Sequence, residues 1–79
     1  MEKRIVIAIR ITKEEYDAIE REVRSRKLTE KQRRWLNVLR LRFIGYSNTE
    51  IAELTGYSKS NVVQLLRRFK SQGLERFLR

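Results

Sequence analysis

Two capped helices joined by a tight glycine turn are predicted between residues 46 and 70, and this arrangement constrains the fold more than any other feature of the chain. Ser47 and Glu50 match a capping box that starts the first helix, and Gly56 can take the positive φ that ends it. Ser58 then caps a longer helix with apolar side chains at helical spacing, namely Val62, Leu65, Leu66 and Phe69. Two helices joined by such a tight turn are typical of a helix-turn-helix.

The side of the second helix opposite this apolar stripe is polar. At 100° per residue, Ser60, Gln64 and Arg67 lie opposite the stripe, and Asn61 and Arg68 flank them. Amide side chains can bond both edges of adenine, and Arg can bond guanine bidentately. A polar face is also what any surface helix needs, but the small Ala52, the glycine turn and the serine cap arrive together at the offsets of a DNA-binding unit. We therefore predict base contacts from Lys59, Ser60, Asn61, Gln64, Arg67 and Arg68.

The distribution of charge favours the same function. The chain has 19 Lys and Arg against 10 Asp and Glu, a net charge of +9. Residues 1–23 hold five basic and six acidic side chains, whereas residues 24–79 hold fourteen and four, so the positive excess accompanies the helix-turn-helix. Such a field attracts a polyanion and gains affinity through counterion release. A membrane surface is also anionic, but apolar stripes of ordinary width favour a folded domain that binds double-stranded DNA.

Basic and hydroxyl side chains around the motif are predicted to contact phosphates. They are Arg26, Lys27, Lys31, Arg33, Arg34, Ser47, Thr49 and Ser58. The basic run at residues 24–34 has a second interpretation, a solvated loop and first helical turn, and both interpretations stay open at the level of the sequence.

The rest of the chain predicts a single domain, residues 1–79, that is mostly α. Alternation over residues 4–11 predicts a strand, and capping boxes at Thr12 with Glu15 and at Thr29 with Gln32 start further helices. Trp35 falls inside an apolar arc and is predicted to anchor the core. The expected fold is a bundle of about four helices, near 13–26, 30–44, 48–55 and 59–72, with one N-terminal strand.

Several classes of protein are disfavoured by what the chain lacks. Without Cys or His it can form no disulfide, zinc finger or imidazole-based catalytic site, and Asp17 is the only Asp. We expect no enzymatic activity from these residues, no metal, no cofactor and no small-molecule substrate. The longest apolar run, Ile5 to Ile9, is too short to span a bilayer or act as a signal peptide. A cytoplasmic, nucleoid-associated prokaryotic protein is the default expectation, with no membrane partner.

The predicted strand raises a question of pairing, because a lone strand leaves its backbone polar groups unpaired. The same segment of a second molecule, Ile5 to Ile11, could supply the partner and give a homodimer, or the segment could lie along its own helices as an extended arm. Residues 1–26 also resemble the opening of ribbon-helix-helix repressors, in which Arg4, Val6, Ala8 and Arg10, or the isoleucine face, would contact DNA. A stand-alone dimeric transcriptional regulator is thus the alternative to the main prediction, and a protein-interaction domain without nucleic acid comes third.

A longer pattern covers essentially the whole chain. The order of its segments is a strand, then ITKEEYDAIE, then VRSRKLTEKQRRWLNVLRL, then GYSNTEIAELTGYSKSNVVQLLRRFKSQGLERFL. In this order the chain resembles the N-terminal DNA-binding domain of bacterial and archaeal insertion-sequence transposases of the mariner-like superfamily. Arg68 and Phe69 followed by Gly73, Leu74 and Glu75 carry most of the resemblance. It implies a homeodomain-like or paired-like fold that recognises transposon terminal inverted repeats. The chain departs from the family where Leu65 or Leu66 stands at a position often held by Trp, and the family's acidic catalytic domain is not among these residues.

Overall fold

The computed structural model describes residues 10–25 and 27–78, apart from the side chain of Ser25, and this part of the chain is mostly helical, as predicted. Its five helices are α1 (Lys13–Ser25), α2 (Glu30–Ile44), α3 (Asn48–Thr55), α4 (Lys59–Gln72) and α5 (Leu74–Phe77). The first four occupy the ranges expected from the sequence, and α5 was not expected. No strand occurs among the described residues: Arg10 and Ile11 are not in one, and the rest of the predicted strand lies outside the described part.

Capping boxes begin three of the helices. In each box a hydroxyl oxygen accepts a hydrogen bond from the backbone N–H three residues on, and the carboxylate or amide oxygen at that position accepts one in return. The pairs are Thr12 with Glu15, Thr29 with Gln32 and Ser47 with Glu50, at distances between 2.8 and 3.2 Å. Each box satisfies donors that a helix start leaves unpaired, which explains why these helices begin where the sequence predicts.

The core lies where α2, α3 and α4 meet, and α1 and α5 add buried side chains to it. Its fully buried side chains include Leu36, Val38 and Leu39 of α2, Ile51 of α3 and Val62 of α4. α1 packs on α2 and adds Ile19, while α5 packs on α4. The pair formed by α3 and α4 therefore packs against α2.

α5 supplies a core residue that the sequence did not identify. Phe77 is completely buried, and its ring meets those of Phe69 and Trp35 edge to face at centroid distances of 5.9 and 5.8 Å. Trp35, predicted as the core anchor, is only half-buried and lies at the margin of the core. Phe77 takes the central position because α5 folds back over the gap between α2 and α4. The Nε2 group of Gln32 holds it there by donating a hydrogen bond to the Leu78 carbonyl at 2.8 Å.

Candidate nucleic-acid interface

The turn between α3 and α4 is formed by Gly56, Tyr57 and Ser58. Gly56 lies in the left-handed region, with φ 84° and ψ 2°, and its N–H donates to the Ala52 carbonyl at 2.9 Å. The hydroxyl of Thr55 donates to the Ile51 carbonyl at 2.7 Å and is itself an acceptor for the Tyr57 N–H at 3.5 Å. A residue with a Cβ is strained at this φ, so glycine is needed at the turn.

Ser58 starts α4 as the sequence predicts. Its hydroxyl oxygen accepts a hydrogen bond from the Asn61 N–H at 3.1 Å, in an extended conformation that is normal for an N-cap. The cap fixes the direction in which α4 leaves the turn. The cap thereby sets the positions of the exposed residues in the first turn of the helix, which are Lys59, Ser60 and Asn61.

The two sides of α4 differ sharply in exposure. Val62, Leu65, Leu66 and Phe69 are all buried. Ser60, Gln64 and Arg67 are exposed on the opposite side, and we call this set the outward face of α4. The buried and exposed sides of α4 are therefore the ones predicted from the sequence.

One edge of α4 borders a shallow depression against α2. Its lining comprises Lys31 and Trp35 from α2, Tyr57 from the turn, and Asn61, Gln64, Leu65 and Arg68 from α4. Arg68 does not project freely. Its Cζ lies 5.5 Å from the centroids of both the Trp35 and the Phe77 rings, and its Nη2 group donates to the Phe77 carbonyl at 3.5 Å. Of the predicted base-contacting residues, Arg68 is the one fixed by neighbouring aromatic side chains.

The predicted phosphate contacts on α2 line more than one depression of the surface. Lys31 lies in the depression beside α4, and the Arg34 Cζ lies 5.5 Å from the centroid of the Tyr57 ring at the turn. Arg33 and Arg34 both line a second depression, which includes Val23 of α1 and Leu54 of α3. Lys31 and Arg34 are thus close to the start of α4, whereas Arg33 has no contact with the ring of Tyr57 among the described residues.

The remaining phosphate candidates lie at loops and helix starts. Ser47 and Thr49 are exposed at the start of α3, and Ser47 and Ser58 already accept backbone N–H groups as caps. Each hydroxyl can still donate its own hydrogen to an anion. Lys27 is exposed before α2, and Arg26 lies outside the described residues.

Two aromatic residues lie against cations of this surface, and the sequence did not predict that they belong to it. Tyr57 lies against Arg34, and Trp35 lies against both Lys31 and Arg68. The spacing of Lys31 and Trp35, four residues apart on one helix, was a usable signal. The contact between Trp35 and Arg68 joins different helices and leaves no trace in local spacing.

The carboxylate of Glu15 neutralises one cation of α4, at the end of the helix farthest from Ser58. The Lys70 Nζ lies 2.9 Å from Glu15 Oε1. Burial alone would raise the pKa of Glu15, but the hydrogen bond from the Thr12 backbone and the Lys70 ammonium outweigh it and lower the pKa below its ordinary value. Positive charge at the start of α4 has no such partner in the described ion pairs.

Comparison with known proteins adds no assignment. A scan against protein-family models, a search of curated proteins and a search of solved structures each gave no match. Within the described residues, no group of three or more His, Cys, Asp or Glu side chains could hold a metal ion. Across the same residues, no helix has the length and apolar character needed to cross a bilayer.

Proposed function

We propose that this chain binds double-stranded DNA in a sequence-specific manner, with α4 in the major groove and α3 lying across the backbone. The observation that carries the proposal is the outward face of α4, where Ser60, Gln64 and Arg67 are exposed directly opposite a buried apolar stripe. The major groove, about 12 Å wide, admits an α-helix and displays a distinct donor and acceptor pattern for each base pair. Gln64 suits adenine and Arg67 suits guanine.

Cations beside this face support a polyanionic partner. Lys31 and Arg34 lie next to the start of α4, one in the depression that Gln64 also lines and the other against Tyr57. Phosphate contacts of this kind fix the register of a recognition helix without specifying sequence. We assign these two residues to the backbone and place Arg33, which has no contact with Tyr57 among the described residues, second to them.

The resemblance to mariner-like transposases extends the proposal to a target. The order of α2, α3 and α4, with a tight glycine turn between the last two, is compatible with a homeodomain-like or paired-like domain. On this basis we propose that the DNA site is a transposon terminal inverted repeat and that catalysis belongs to a separate domain. A library of random duplexes selected with the protein would give the preferred site, which can then be compared with the ends of insertion sequences.

The decisive experiment separates base contacts from backbone contacts. Gln64→Ala should weaken binding at the preferred site by roughly 1 to 3 kcal/mol and relax the preference at one base position. Arg34→Ala should weaken binding to all sequences and reduce its salt dependence, because it removes a phosphate contact. Both effects can be measured by fluorescence anisotropy with duplexes from the selected library.

A matched control uses the same substitution at the end of the same helix. Gln72 is exposed in the last turn of α4 and outside its outward face, so Gln72→Ala should leave affinity and preference unchanged. If Gln64→Ala and Arg34→Ala have the same profile over the library, the division into base and phosphate contacts is wrong. If the unaltered protein binds no duplex at low salt, the proposed function itself fails.

A further inference from the structure

Lys31 and Arg68 reach the same indole ring from different helices. The Lys31 Nζ lies 5.6 Å and the Arg68 Cζ 5.5 Å from the centroid of the Trp35 ring, and both side chains line the depression beside α4. Cations that share a small site repel each other, so an aromatic face or an anion must offset the cost. No acidic side chain lines this depression, and in the described part of the chain no carboxylate pairs with either cation.

Arg68 is also more constrained than its neighbour Arg67, although both side chains are exposed. The Arg68 guanidinium lies against both Trp35 and Phe77 and donates to the Phe77 carbonyl, whereas Arg67 has no ring contact or ion pair among the described residues. A planar guanidinium held in advance loses little conformational freedom when it binds an oxyanion. The arrangement suits a fixed anionic ligand better than a base edge that varies with sequence.

We propose that Lys31 and Arg68 together clamp one phosphate group of the DNA backbone, and that Trp35 and Phe77 hold Arg68 in position. This inference rests on the proposed function and reassigns Arg68 from base contact to phosphate contact. Gln64 lines the same depression, so a phosphate bound there would lie beside the outward face of α4. The clamp would thereby set the register in which that face meets the bases.

Salt dependence of binding tests the clamp directly. Arg68→Gln and Lys31→Gln should each weaken binding about tenfold to every duplex alike, and each should lower the slope of log K against log salt by about one. Lys13 is exposed in the first turn of α1 and is not among the predicted DNA contacts, so Lys13→Gln removes the same charge as a matched control. It should leave both the affinity and the slope unchanged.

The double variant asks whether the two cations hold one group. If both residues contact the same phosphate, either single substitution already disrupts the site, and the second substitution then reduces affinity less. The affinity of the double variant should therefore be at least about threefold higher than the value obtained by multiplying the two single-variant reductions. Losses that simply multiply would mean that the residues contact separate groups, and the clamp would be wrong.

Trp35 is the only tryptophan of the chain and reports on the site by its own fluorescence. At saturating duplex, its emission should change in the unaltered protein, and that change should be largely lost in Arg68→Gln but kept in Arg67→Gln. A positioning role for Trp35 predicts that Trp35→Leu weakens binding to all duplexes and that Trp35→Phe, which keeps an aromatic face, restores most of it. Circular dichroism of each variant confirms that the helices remain.

The outcomes distinguish the clamp from the function on which it rests. Duplex binding that persists while Arg68→Gln loses affinity only for particular sequences would show that Arg68 contacts bases, and would overturn the clamp alone. An emission of Trp35 that changes equally in Arg68→Gln and the unaltered protein would do the same. Absence of duplex binding by the unaltered protein would overturn both.

Discussion

The first and last helices in chain order, α1 and α5, differ in the residues that they contact. α1 packs against the far half of α2 through the stacked rings of Tyr16 and Phe43, 4.2 Å apart, and its ion pair to α4 is made with Lys70 in the last turn. α5 is only four residues long, yet Phe77 contacts Trp35 and Arg68 beside the proposed DNA surface. Both helices stabilise the domain, but of the two it is α5 that contacts Trp35 and Arg68 beside the outward face of α4.

The two helices are therefore expected to differ in whether they affect stability alone or both stability and DNA binding. Damage to α1 should lower the free energy of unfolding and leave DNA recognition intact. Damage to α5 should lower both, because Phe77 is at once a core residue and part of the support for Arg68. The following substitutions test that separation.

Phe77→Ala should have the largest effect. Truncating a fully buried aromatic ring costs about 3 to 5 kcal/mol, which approaches the whole stability of a domain of this size. We expect chemical denaturation to show a largely unfolded protein or one close to its unfolding midpoint. Phe77→Leu keeps most of the apolar volume, costs about 1 kcal/mol, and allows binding to be measured on folded protein.

The informative result comes from Phe77→Leu. Its affinity for all duplexes should fall together with its stability, because the guanidinium of Arg68 loses one of its two aromatic supports. If Phe77→Leu lowered stability and left the DNA affinity unaltered, α5 would have no role in DNA binding, and the proposed difference between α1 and α5 would be wrong.

The sequence was a good guide to the helices that carry caps and a poor one to α5. Hydroxyl residues followed three positions later by Glu or Gln located the starts of α1, α2 and α3, because the capping interaction is local. Four residues cannot display helical periodicity. The only local signs of α5 were Gly73 and the apolar spacing of Leu74, Phe77 and Leu78.

In the candidate site, too, the sequence predicted the local features but not the contacts between helices. The outward face of α4 followed from its 100° phase, since the packing buries the stripe opposite. The different surroundings of Arg67 and Arg68 depend on Trp35, which lies on another helix. Likewise Arg33 and Arg34 are neighbours in sequence and line the same depression beside Val23, but Arg34 also lies against the ring of Tyr57. Local spacing contains no information on such tertiary contacts.

Tyr16→Ala should have an intermediate effect on stability and none on sequence preference. The Tyr16 and Phe43 rings stack with an interplanar angle of 15°, and both are half-buried, so their loss should cost roughly 1 to 2 kcal/mol. Tyr16→Phe keeps the stack and serves as the matched control, with a change of at most about 0.5 kcal/mol. Urea denaturation and duplex anisotropy of both variants provide the measurement. A shift in base preference in Tyr16→Ala would mean that α1 is coupled to the DNA surface after all.

The smallest effect is expected at the ion pair between Glu15 and Lys70, and it should depend on pH. The pKa of Glu15 is below its ordinary value of 4.5, so the folded state favours the ionised carboxylate. The stabilisation is therefore complete above about pH 4.5 and is lost as the pH falls through the lower pKa of the folded protein. Because both side chains are partly exposed, we expect less than about 1 kcal/mol.

Glu15→Gln isolates this contribution, since the amide oxygen can still accept the Thr12 N–H of the capping box while the charge is removed. The variant should be less stable than the unaltered protein at pH 7, and the difference should vanish in acid and shrink in high salt. Asp17→Asn is the matched control, because the Lys13 and Asp17 pair is longer, at 3.7 Å, and more exposed; its effect should be smaller at every pH. A deficit in Glu15→Gln that persists in acid would identify damage to the cap rather than loss of charge. Duplex affinity should stay constant throughout, since Lys70 lies at the end of α4 away from Ser58.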